Sequence, residues 1–403
     1  MTHTSNHIIS CVLSAFLLAG STGALAVPAG AAANASIGDV NADSYVNAKD
    51  AAEVLIAAAV TGTGTDSPLT AVQITAADVN TDGSANAADA ERILAFASYY
   101  GVGGKMTAQQ FFAQPAAQKL VYEKQVLSDL RGVSNARQMG GYINRDGRAI
   151  KQNVLIRSGS LAHAIDSAKD ALVNKYHVSD VMDFRYEREL NPKTTDPEIE
   201  GITHHSVAMS PTGNIGKHFA EHPEDFEKLQ QLQQQAGKTG DSTELSIFQA
   251  ELGMVNTDAF IKYFESDEAA ACYSEAFKIL LNKPEGSAVL FHCSAGKDRT
   301  GMVAMLLLSA LDFDRDVIVQ DYMLSNDGNA AKIEKLSEAA HAYTSDEALL
   351  YQIMYTECVY PEVIEKIMDD LNAEYGSVKE YLRKKVGLTD ADFEKLQELY
   401  LED

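Results

Sequence analysis

One short segment combines a nucleophile with a binding site for an anion. Five residues separate Cys293 from Arg299, between an apolar strand that ends at His292 and a helix that begins near Arg299. Backbone N–H groups of so tight a loop, together with the helix N-terminus, can form a nest for a phosphoryl group. The same field stabilises a thiolate at Cys293, and the Arg299 guanidinium can hold two phosphoryl oxygens. The predicted phosphate-binding residues are Ser294, Ala295, Gly296, Lys297, Asp298, Arg299 and Thr300.

These residues predict hydrolysis of a phosphate ester through a covalent intermediate. The Cys293 thiolate would attack phosphorus and form a phosphocysteine, while Arg299 and the loop amides stabilise the equatorial oxygens. A carboxylic acid would protonate the leaving oxygen and water would hydrolyse the intermediate, so this step needs no metal or other cofactor. We expect the Thr300 hydroxyl to donate to the Cys293 sulfur, and His292 to hold the loop through backbone hydrogen bonds.

The sequence around this loop resembles that of the protein tyrosine phosphatase superfamily. Residues 292–301 read His-Cys-Ser-Ala-Gly-Lys-Asp-Arg-Thr-Gly, which is similar to the loop of bacterial tyrosine phosphatases with a broad substrate range. Residues 135–142, 155–160, 181–185 and 375–382 resemble further motifs of this group. The resemblance spans residues 130–403 and implies an α/β fold of the cysteine-phosphatase type, with a central mixed sheet flanked by helices.

Two aspartates are candidates for the general acid. Many tyrosine phosphatases use the aspartate of a mobile Trp-Pro-Asp loop, and this chain has no tryptophan. Asp298, inside the loop, is the first choice by resemblance to the bacterial group. Asp183, at the end of a strand that faces the same edge, is the alternative. Lys297 is expected to add a second cation at the mouth, which by resemblance would suit phosphoinositides or other polyphosphorylated substrates.

The leading interpretation is a phosphomonoester hydrolase of the protein tyrosine or dual-specificity type. One alternative is a phosphatase that acts on phosphoinositides or, like a phytase, on inositol phosphates. Another is a non-catalytic module that captures phosphorylated ligands. The intact set of Cys293, Asp298 and Arg299 disfavours the binding module, because an inactive variant of such a loop usually lacks one of them.

A repeat with an offset of 39 residues predicts two calcium-binding loops. The stretches that begin at Asp39 and Asp78 are identical at nine of 19 aligned positions. Calcium takes roughly six to eight oxygen ligands, and a 12-residue loop with this spacing can fold them around one ion. The predicted ligands are Asp39, Asn41, Asp43, Tyr45 (by its backbone carbonyl), Asn47 and Asp50 in the first loop, and Asp78, Asn80, Asp82, Ser84 (by its backbone carbonyl), Asn86 and Asp89 in the second.

The paired loops resemble a type I dockerin module. We expect a helix after each loop and no clear helix before either one. The resemblance covers residues 37–100 and implies a small α domain of two calcium loop–helix units, which binds a cohesin module on a scaffolding protein of polysaccharide-degrading complexes. Ser44 replaces the glycine of position 6, where a left-handed backbone costs about 1 kcal/mol. Because residues 36–100 include nine acidic and two basic side chains, we expect folding only with metal bound.

Apolar runs predict the elements that position the phosphate-binding loop. Residues 153–156, 179–184 and 287–291 are expected as buried strands, and residues 302–311 as a buried central helix. Residues 213–246 are polar and are expected to form an insertion with one exposed helix, which could act as a lid. The predicted organisation is a signal peptide at 1–35, the calcium domain at 36–100, a linker at 101–118 and the phosphatase-like domain at 119–403.

The N-terminal segment predicts a secreted protein. Residues 8–19 form a largely apolar run followed by small residues, which is typical of a signal peptide and too short to span a bilayer. We therefore expect an extracellular protein without a transmembrane segment. The net charge of −24 disfavours nucleic acid as a partner. A Cys272–Cys358 disulfide would leave Cys293 as the only free thiol after signal cleavage.

Overall fold

The computed structural model describes residues 36–101, 105–113, 118–209, 216–239 and 241–402. The predicted signal peptide lies outside these residues, as do parts of the predicted linker and insertion. Within the described ranges, no helix is both long and apolar enough to cross a membrane. The chain divides into two compact units, residues 1–117 and 118–403, which are described separately.

The first unit consists of short helices and the two acidic loops. Its helices are α1 (Ala48–Gly62), α2 (Ala71–Ala77), α3 (Ala87–Gly101) and α4 (Ala108–Phe112). Helices α1 and α3 follow the two loops, as predicted, and pack against each other. Val54, Ile93 and Phe96 are fully buried between the helices and form the centre of a small hydrophobic core.

Two features of the first unit differ from what the sequence led us to expect. Helix α2 ends directly before the second loop, where we expected no helix. Thr70 and Gln73 cap its N-terminus reciprocally, which is a signal that the sequence does contain. Helix α4 lies inside the predicted linker at 101–118, and its Phe112 packs on Phe96 with ring centroids 5.5 Å apart. Part of that segment therefore belongs to the core of the first unit.

The second unit contains a five-stranded mixed sheet with the order β1-β2-β5-β3-β4. Its strands are β1 (Arg137–Gln138), β2 (Leu155–Ser158), β3 (Val178–Asp183), β4 (Thr203–Ser206) and β5 (Ala288–His292). Strand β1 is antiparallel to β2, and the other neighbouring strands are parallel. The three predicted strands correspond to β2, β3 and β5, whereas the short edge strands β1 and β4 were not predicted.

Both faces of the central strands are buried. Along β5, Val289 and Phe291 belong to one hydrophobic cluster, whereas Ala288 and Leu290 belong to another. Burial on both faces explains why these strands are continuous apolar runs in the sequence. The parallel register pairs Asp183 of β3 with His292 of β5, so the ends of both strands lie at the edge where the loop begins.

Helices make up most of the second unit. In chain order they are α5 (Tyr122–Gln125), α6 (Asp166–Asp170), α7 (Gly216–Glu221), α8 (Pro223–Thr239), α9 (Thr243–Glu251), α10 (Thr257–Phe264), α11 (Asp267–Asn282), α12 (Asp298–Ala310), α13 (Arg315–Gly328), α14 (Ala330–Tyr343), α15 (Glu347–Tyr355), α16 (Pro361–Tyr375), α17 (Val378–Tyr381) and α18 (Asp390–Tyr400). Helix α12 is buried along most of its length, which confirms the predicted central helix. The predicted insertion at 213–246 holds α7, α8 and the start of α9 rather than one helix.

Cys272, Cys293 and Cys358 are all free thiols. Cys272 in α11 is half-buried, and its sulfur lies 3.3 Å from the carbonyl oxygen of Ala208. Cys358 is buried just after α15, where its carbonyl oxygen accepts a hydrogen bond from Lys297. The disulfide considered from the sequence is therefore wrong, because the two cysteines contact different partners.

Candidate active site

The segment that the sequence indicated forms a tight loop between β5 and α12. Strand β5 ends at His292 and α12 begins at Asp298, close to the predicted boundaries. Cys293 opens the loop and is only 2% exposed. Gly296 has a φ of 69°, and a Cβ atom there would lie 2.3 Å from the carbonyl oxygen of Ser158. Glycine is therefore required at this turn, for both backbone conformation and space.

Side chains from distant segments hold the carbonyl groups of the loop. The Asn135 amide donates to the carbonyl oxygens of Ala295 and Gly296 at 3.1 and 3.0 Å. Arg157 Nη2 donates to the same Gly296 oxygen at 3.0 Å and to that of Lys297 at 3.4 Å. In a trans peptide the N–H and C=O groups point in opposite directions. Tethering the carbonyls thus turns the loop N–H groups to the opposite side, where they can bind an anion.

A buried ion cluster holds Arg157 and a second arginine, Arg137. Asp321 of α13 forms salt bridges with both arginines and accepts a hydrogen bond from the Tyr142 hydroxyl at 3.1 Å. All four side chains are buried. Burial and the neighbouring Arg157 lower the pKa of Arg137 to about 10. The sequence motifs included both arginines, but Asp321 was missed because no local pattern marks it.

Glu189 holds Arg299, the cation at the helix end of the loop. The carboxylate of Glu189 accepts from Nη1 and Nη2 of Arg299 in a bidentate pair, the second contact at 2.8 Å. It also accepts from the Ser294 hydroxyl at 2.8 Å. Burial would lower the pKa of Arg299, but the bonds to Glu189 and the charge of Cys293 raise it above its ordinary value. Glu189, in a 3₁₀ turn (Glu187–Glu189), was not predicted, since no spacing in the sequence links it to the loop.

Asp183 lies beside the loop but is engaged by another residue. Its two oxygens accept from Arg185 at 2.8 and 2.7 Å, and Arg185 also pairs with Asp196 at 3.0 Å. Asp196 Oδ2 lies 2.8 Å from His292 Nε2. Burial would raise the pKa of Asp196, but its bond to His292 and the charges of His292 and Arg185 lower it to about 2. His292 Nδ1 lies 3.1 Å from the Cys293 carbonyl oxygen, so His292 contacts the loop backbone as predicted.

Lys297 differs from the sequence-based expectation. Its side chain is buried, and its ammonium group donates to the carbonyl oxygens of Tyr355 and Cys358 at 2.7 and 3.0 Å. The expectation of a second cation at an open mouth is therefore wrong, because the end of α15 encloses it. The N–H group of Lys297 remains a predicted part of the phosphate-binding loop.

Asp298 and Thr300 lie in the first turn of α12, and each has a buried oxygen atom. Asp298 Oδ2 lies 3.4 Å from Lys297 Nζ, and its other oxygen, Oδ1, is buried without a hydrogen-bond partner among the described residues. The Thr300 hydroxyl is likewise buried and unpaired within the described part of the chain. The predicted hydrogen bond from Thr300 to the Cys293 sulfur is therefore absent from this arrangement.

The second acidic loop of the first unit brings three of its predicted ligand side chains together. In the second loop, carboxylate oxygens of Asp78, Asp82 and Asp89 lie within 4.8 Å of one another. Burial raises the pKa of Asp89, and the charges of the other two contribute. At position 6, Ser44 has a φ of 71° and Gly83 a φ of 88°, so both adopt the left-handed backbone. Carboxylates this close repel one another unless a cation lies between them, so the donor set fits calcium.

Comparisons with known proteins match both units. Residues 128–402 match the tyrosine phosphatase family, and residues 37–95 match the dockerin type I domain. The chain is 28% identical over 262 residues to the triple specificity protein phosphatase PtpB of Mycobacterium tuberculosis, across 63% of this chain and 92% of that protein. It is 29% identical over 275 residues to a predicted tyrosine-protein phosphatase of Cupriavidus necator, across 67% of this chain and 86% of that protein.

The match to the tyrosine phosphatase family extends over nearly all of the second unit. It covers more than half of the chain and includes all five strands, the loop from Cys293 to Arg299 and the side chains that hold it. The dockerin match covers the two acidic loops and the helices between them. The protein therefore belongs to the tyrosine phosphatase family of phosphoric monoester hydrolases, and it carries a dockerin type I domain in its N-terminal part.

Proposed function

We propose that the protein is a secreted, cysteine-dependent phosphatase of the protein tyrosine or dual-specificity type, which acts through a phosphocysteine. The loop from Cys293 to Arg299 carries this proposal. It has a buried sulfur at one end, a guanidinium held by Glu189 at the other, and N–H groups turned inward by tethered carbonyls. Such preorganised donors bind a phosphoryl group and stabilise its charge in the transition state.

The proposed reaction assigns roles to Cys293, Asp298, Arg299 and the N–H groups of the loop. Cys293 Sγ attacks phosphorus, and the S–P bond forms as the ester P–O bond breaks. Arg299 and the loop N–H groups hold the three equatorial oxygens. Asp298 gives its proton to the leaving oxygen; we prefer it to Asp183, because Arg185 occupies both oxygens of Asp183. Water then attacks the phosphocysteine while Asp298 takes a proton from it.

Glu189→Gln tests whether Glu189 positions Arg299. The amide keeps the shape of the side chain but loses its charge and one of the two acceptors that the guanidinium uses. Since a hydrogen bond between charged groups contributes about 1.5–3 kcal/mol, we expect kcat/KM to fall roughly tenfold or more. Steady-state kinetics with a phosphotyrosine peptide would measure this.

Glu187→Gln is the matched control for that experiment. Glu187 lies in the same 3₁₀ turn and is exposed, so its replacement should leave the rate within about twofold. A fall in KM with unchanged kcat in the Glu189 variant would contradict positioning. It would indicate instead that the Glu189 carboxylate competes with the substrate for Arg299.

The substrate class follows from relative rates on three phosphate esters. We expect the full chain to release phosphate faster from a phosphotyrosine peptide than from a phosphoinositide or from inositol hexakisphosphate. Burial of Lys297 removes the cation that would favour polyphosphorylated substrates. The relative named a triple specificity phosphatase supports activity on more than one class. Fastest release from inositol hexakisphosphate would favour the phytase-like alternative, and no release from any of them would favour the binding module.

We propose that each dockerin loop binds one calcium ion. Asp39, Asn41, Asp43, Asn47 and Asp50 would hold it in the first loop, with the carbonyl of Tyr45. The corresponding ligands in the second loop are Asp78, Asn80, Asp82, Asn86 and Asp89, with the carbonyl of Ser84. Calcium here supplies folding energy and takes no part in the phosphatase reaction.

Chelation of calcium should unfold the first unit and spare the second. At 100-fold the Kd, bound calcium stabilises a fold by about 2.7 kcal/mol per site, and its removal restores the repulsion among the carboxylates of the loops. We expect a thermal transition that calcium shifts upward, detected by scanning calorimetry on the full chain. Phosphate release in chelator at 25 °C should be unchanged. A calcium-independent transition for both units would contradict this assignment.

The dockerin domain and the N-terminus support the proposed location. A dockerin implies a cohesin partner on a scaffolding protein, so we propose that calcium loading is required for attachment to such a scaffold. The apolar run at residues 8–19 supports secretion through a signal peptide. Attachment would place the phosphatase outside the cell, where phosphorylated proteins, phospholipid head groups or inositol phosphates are the candidate substrates.

A further inference from the structure

Two histidines and two carboxylates gather where α7 meets α8. Residues 218–225 read His-Phe-Ala-Glu-His-Pro-Glu-Asp, so two of the ten histidines of the chain lie four positions apart. The His222 N–H donates to the His218 carbonyl oxygen at 2.8 Å, which places the two side chains on one face of a helical turn. Histidines with this spacing on one helical face are a common arrangement for binding zinc.

Each of these histidines has a carboxylate beside it. His218 Nε2 lies 2.8 Å from Asp225 Oδ2, and His222 Nδ1 lies 3.3 Å from Glu224 Oε1. The two imidazole rings stack on each other, with centroids 4.8 Å apart and an angle of 29° between their planes. Four groups that can bind a metal ion therefore lie side by side in one short segment.

The charges of this cluster favour a divalent cation. With both rings neutral, as zinc binding requires, the carboxylates of Glu224 and Asp225 give the cluster two negative charges, which one zinc ion balances. Two separate ion pairs would instead require both stacked rings to be protonated, and like charges so close together repel each other. The side chains of His218 and Asp225 are only 35% and 26% exposed, so their pair is partly shielded from water.

We propose that His218, His222 and Asp225 bind one zinc ion. The Glu224 carboxylate or a water molecule completes the tetrahedron. Zinc lies about 2.0–2.2 Å from nitrogen and oxygen ligands, so two ligand atoms of one tetrahedron are ~3.4 Å apart. His218 Nε2 and Asp225 Oδ2, at 2.8 Å, need to separate only slightly. The His222 side chain is 50% exposed, so its ring has room to turn a nitrogen toward the ion.

A bound ion would tie the end of α7 to the first turn of α8. His218 lies in α7 and Asp225 in α8, and the rings of Phe219 and Phe226 already make one contact between these helices, with centroids 5.3 Å apart. The binding energy of the ion would add to the stability of this segment. The ion has a structural role and takes no part in the proposed reaction at Cys293.

Titration calorimetry with zinc chloride tests this site on the untagged full chain carrying Cys293→Ser and saturated with calcium. The serine removes a reactive thiolate that could itself bind zinc, and calcium occupies the oxygen-rich loops. We expect one zinc ion to bind with micromolar or higher affinity. His218→Gln, His222→Gln and Asp225→Asn should each weaken binding at least tenfold. Cobalt(II), used as a second probe, should give the visible spectrum of a tetrahedral site without a thiolate band.

The matched control is the double variant His204→Gln/His205→Gln. It also removes two histidines near an aspartate, because His205 Nε2 lies 2.7 Å from Asp180 Oδ1. Adjacent residues of strand β4 point to opposite faces, however, so they cannot bind one ion together, and the zinc affinity should stay within about twofold. Circular dichroism checks that every variant keeps its helix content, and Asp225→Asn keeps the shape of the side chain.

Three results would overturn this inference. The first is no zinc binding by the parent chain, and the second is unchanged affinity in the three variants of the site. The third is an equal loss of affinity in the control, which would place the ion elsewhere. None of these results bears on the phosphatase function, because phosphate release by the wild type is measured separately.

Discussion

Replacing Cys293 by serine should reduce phosphate release by roughly 10⁴-fold or more. A thiol ionises readily in a nest of N–H groups, whereas a serine hydroxyl keeps its proton at neutral pH and has no general base among its predicted partners. The side chains are nearly the same size, so the buried site should keep its fold. Initial rates on a phosphotyrosine peptide, with calorimetry to compare the unfolding temperatures, would measure both effects.

Cys272→Ser is the matched control for the nucleophile. Cys272 is half-buried in α11 and contacts Ala208, and it has no part in the loop. Its replacement should leave the rate within about twofold. The variants also separate two sources of reactivity toward iodoacetamide. Iodoacetamide should alkylate Cys293 rapidly and thereby inactivate the phosphatase. This rapid alkylation should be absent in Cys293→Ser and present in Cys272→Ser. Full activity in the Cys293 variant would refute the phosphocysteine mechanism.

Asp321→Ala should cause the largest loss of stability of any single substitution considered for the second unit. The substitution leaves the guanidinium groups of Arg137 and Arg157 buried without their shared carboxylate. Removing one partner of a buried ion pair typically costs about 3–5 kcal/mol. Activity should also fall at temperatures where the variant is still folded, because Arg157 also holds the loop carbonyls of Gly296 and Lys297. Urea unfolding, followed by circular dichroism, would measure the free energy of unfolding.

Asp314→Ala is the comparison for the buried pair. Asp314 accepts from Arg145 at 2.7 Å, but both side chains are about 60% exposed. Exposed ion pairs contribute about 0–1 kcal/mol, so the loss of this one exposed pair should cost several kcal/mol less than the loss of the two buried pairs of Asp321. Equal effects would mean that the arginines find other partners when Asp321 is absent.

The strand, loop and helix of the active site could be predicted because their information is local. The apolar run before Cys293, Gly296 at the turn and the apolar helix after Arg299 lie within one short segment. The two acidic loops could be predicted equally well, since each repeats a fixed spacing of oxygen-bearing side chains. One local signal was overlooked. Thr70 and Gln73 form a capping pair that is visible in the sequence, but helix α2 was not predicted from it.

The residues that hold the site could not be predicted, because they arrive from far along the chain. Glu189 and Arg299 are 110 residues apart, and Arg157 and Asp321 are 164 apart. No periodic pattern in the sequence links partners that are so far apart. Lys297 is a further example, in which a distant segment determines the burial of a side chain. Its sequence neighbours suggest a solvated loop, and only the end of α15, 58 residues later, reveals that it is buried.

These long separations have a consequence for the order of events during folding. The turn from Cys293 to Arg299 can form early, because closing a short loop costs little chain entropy. Asn135 and Ala295, however, are 160 residues apart, and contacts that close such distances form slowly. The carbonyl groups of the loop therefore have no fixed direction until the sheet and α13 have assembled around it. Recovery of activity during refolding should lag behind recovery of helix content, and it marks the completion of the unit rather than the formation of the loop.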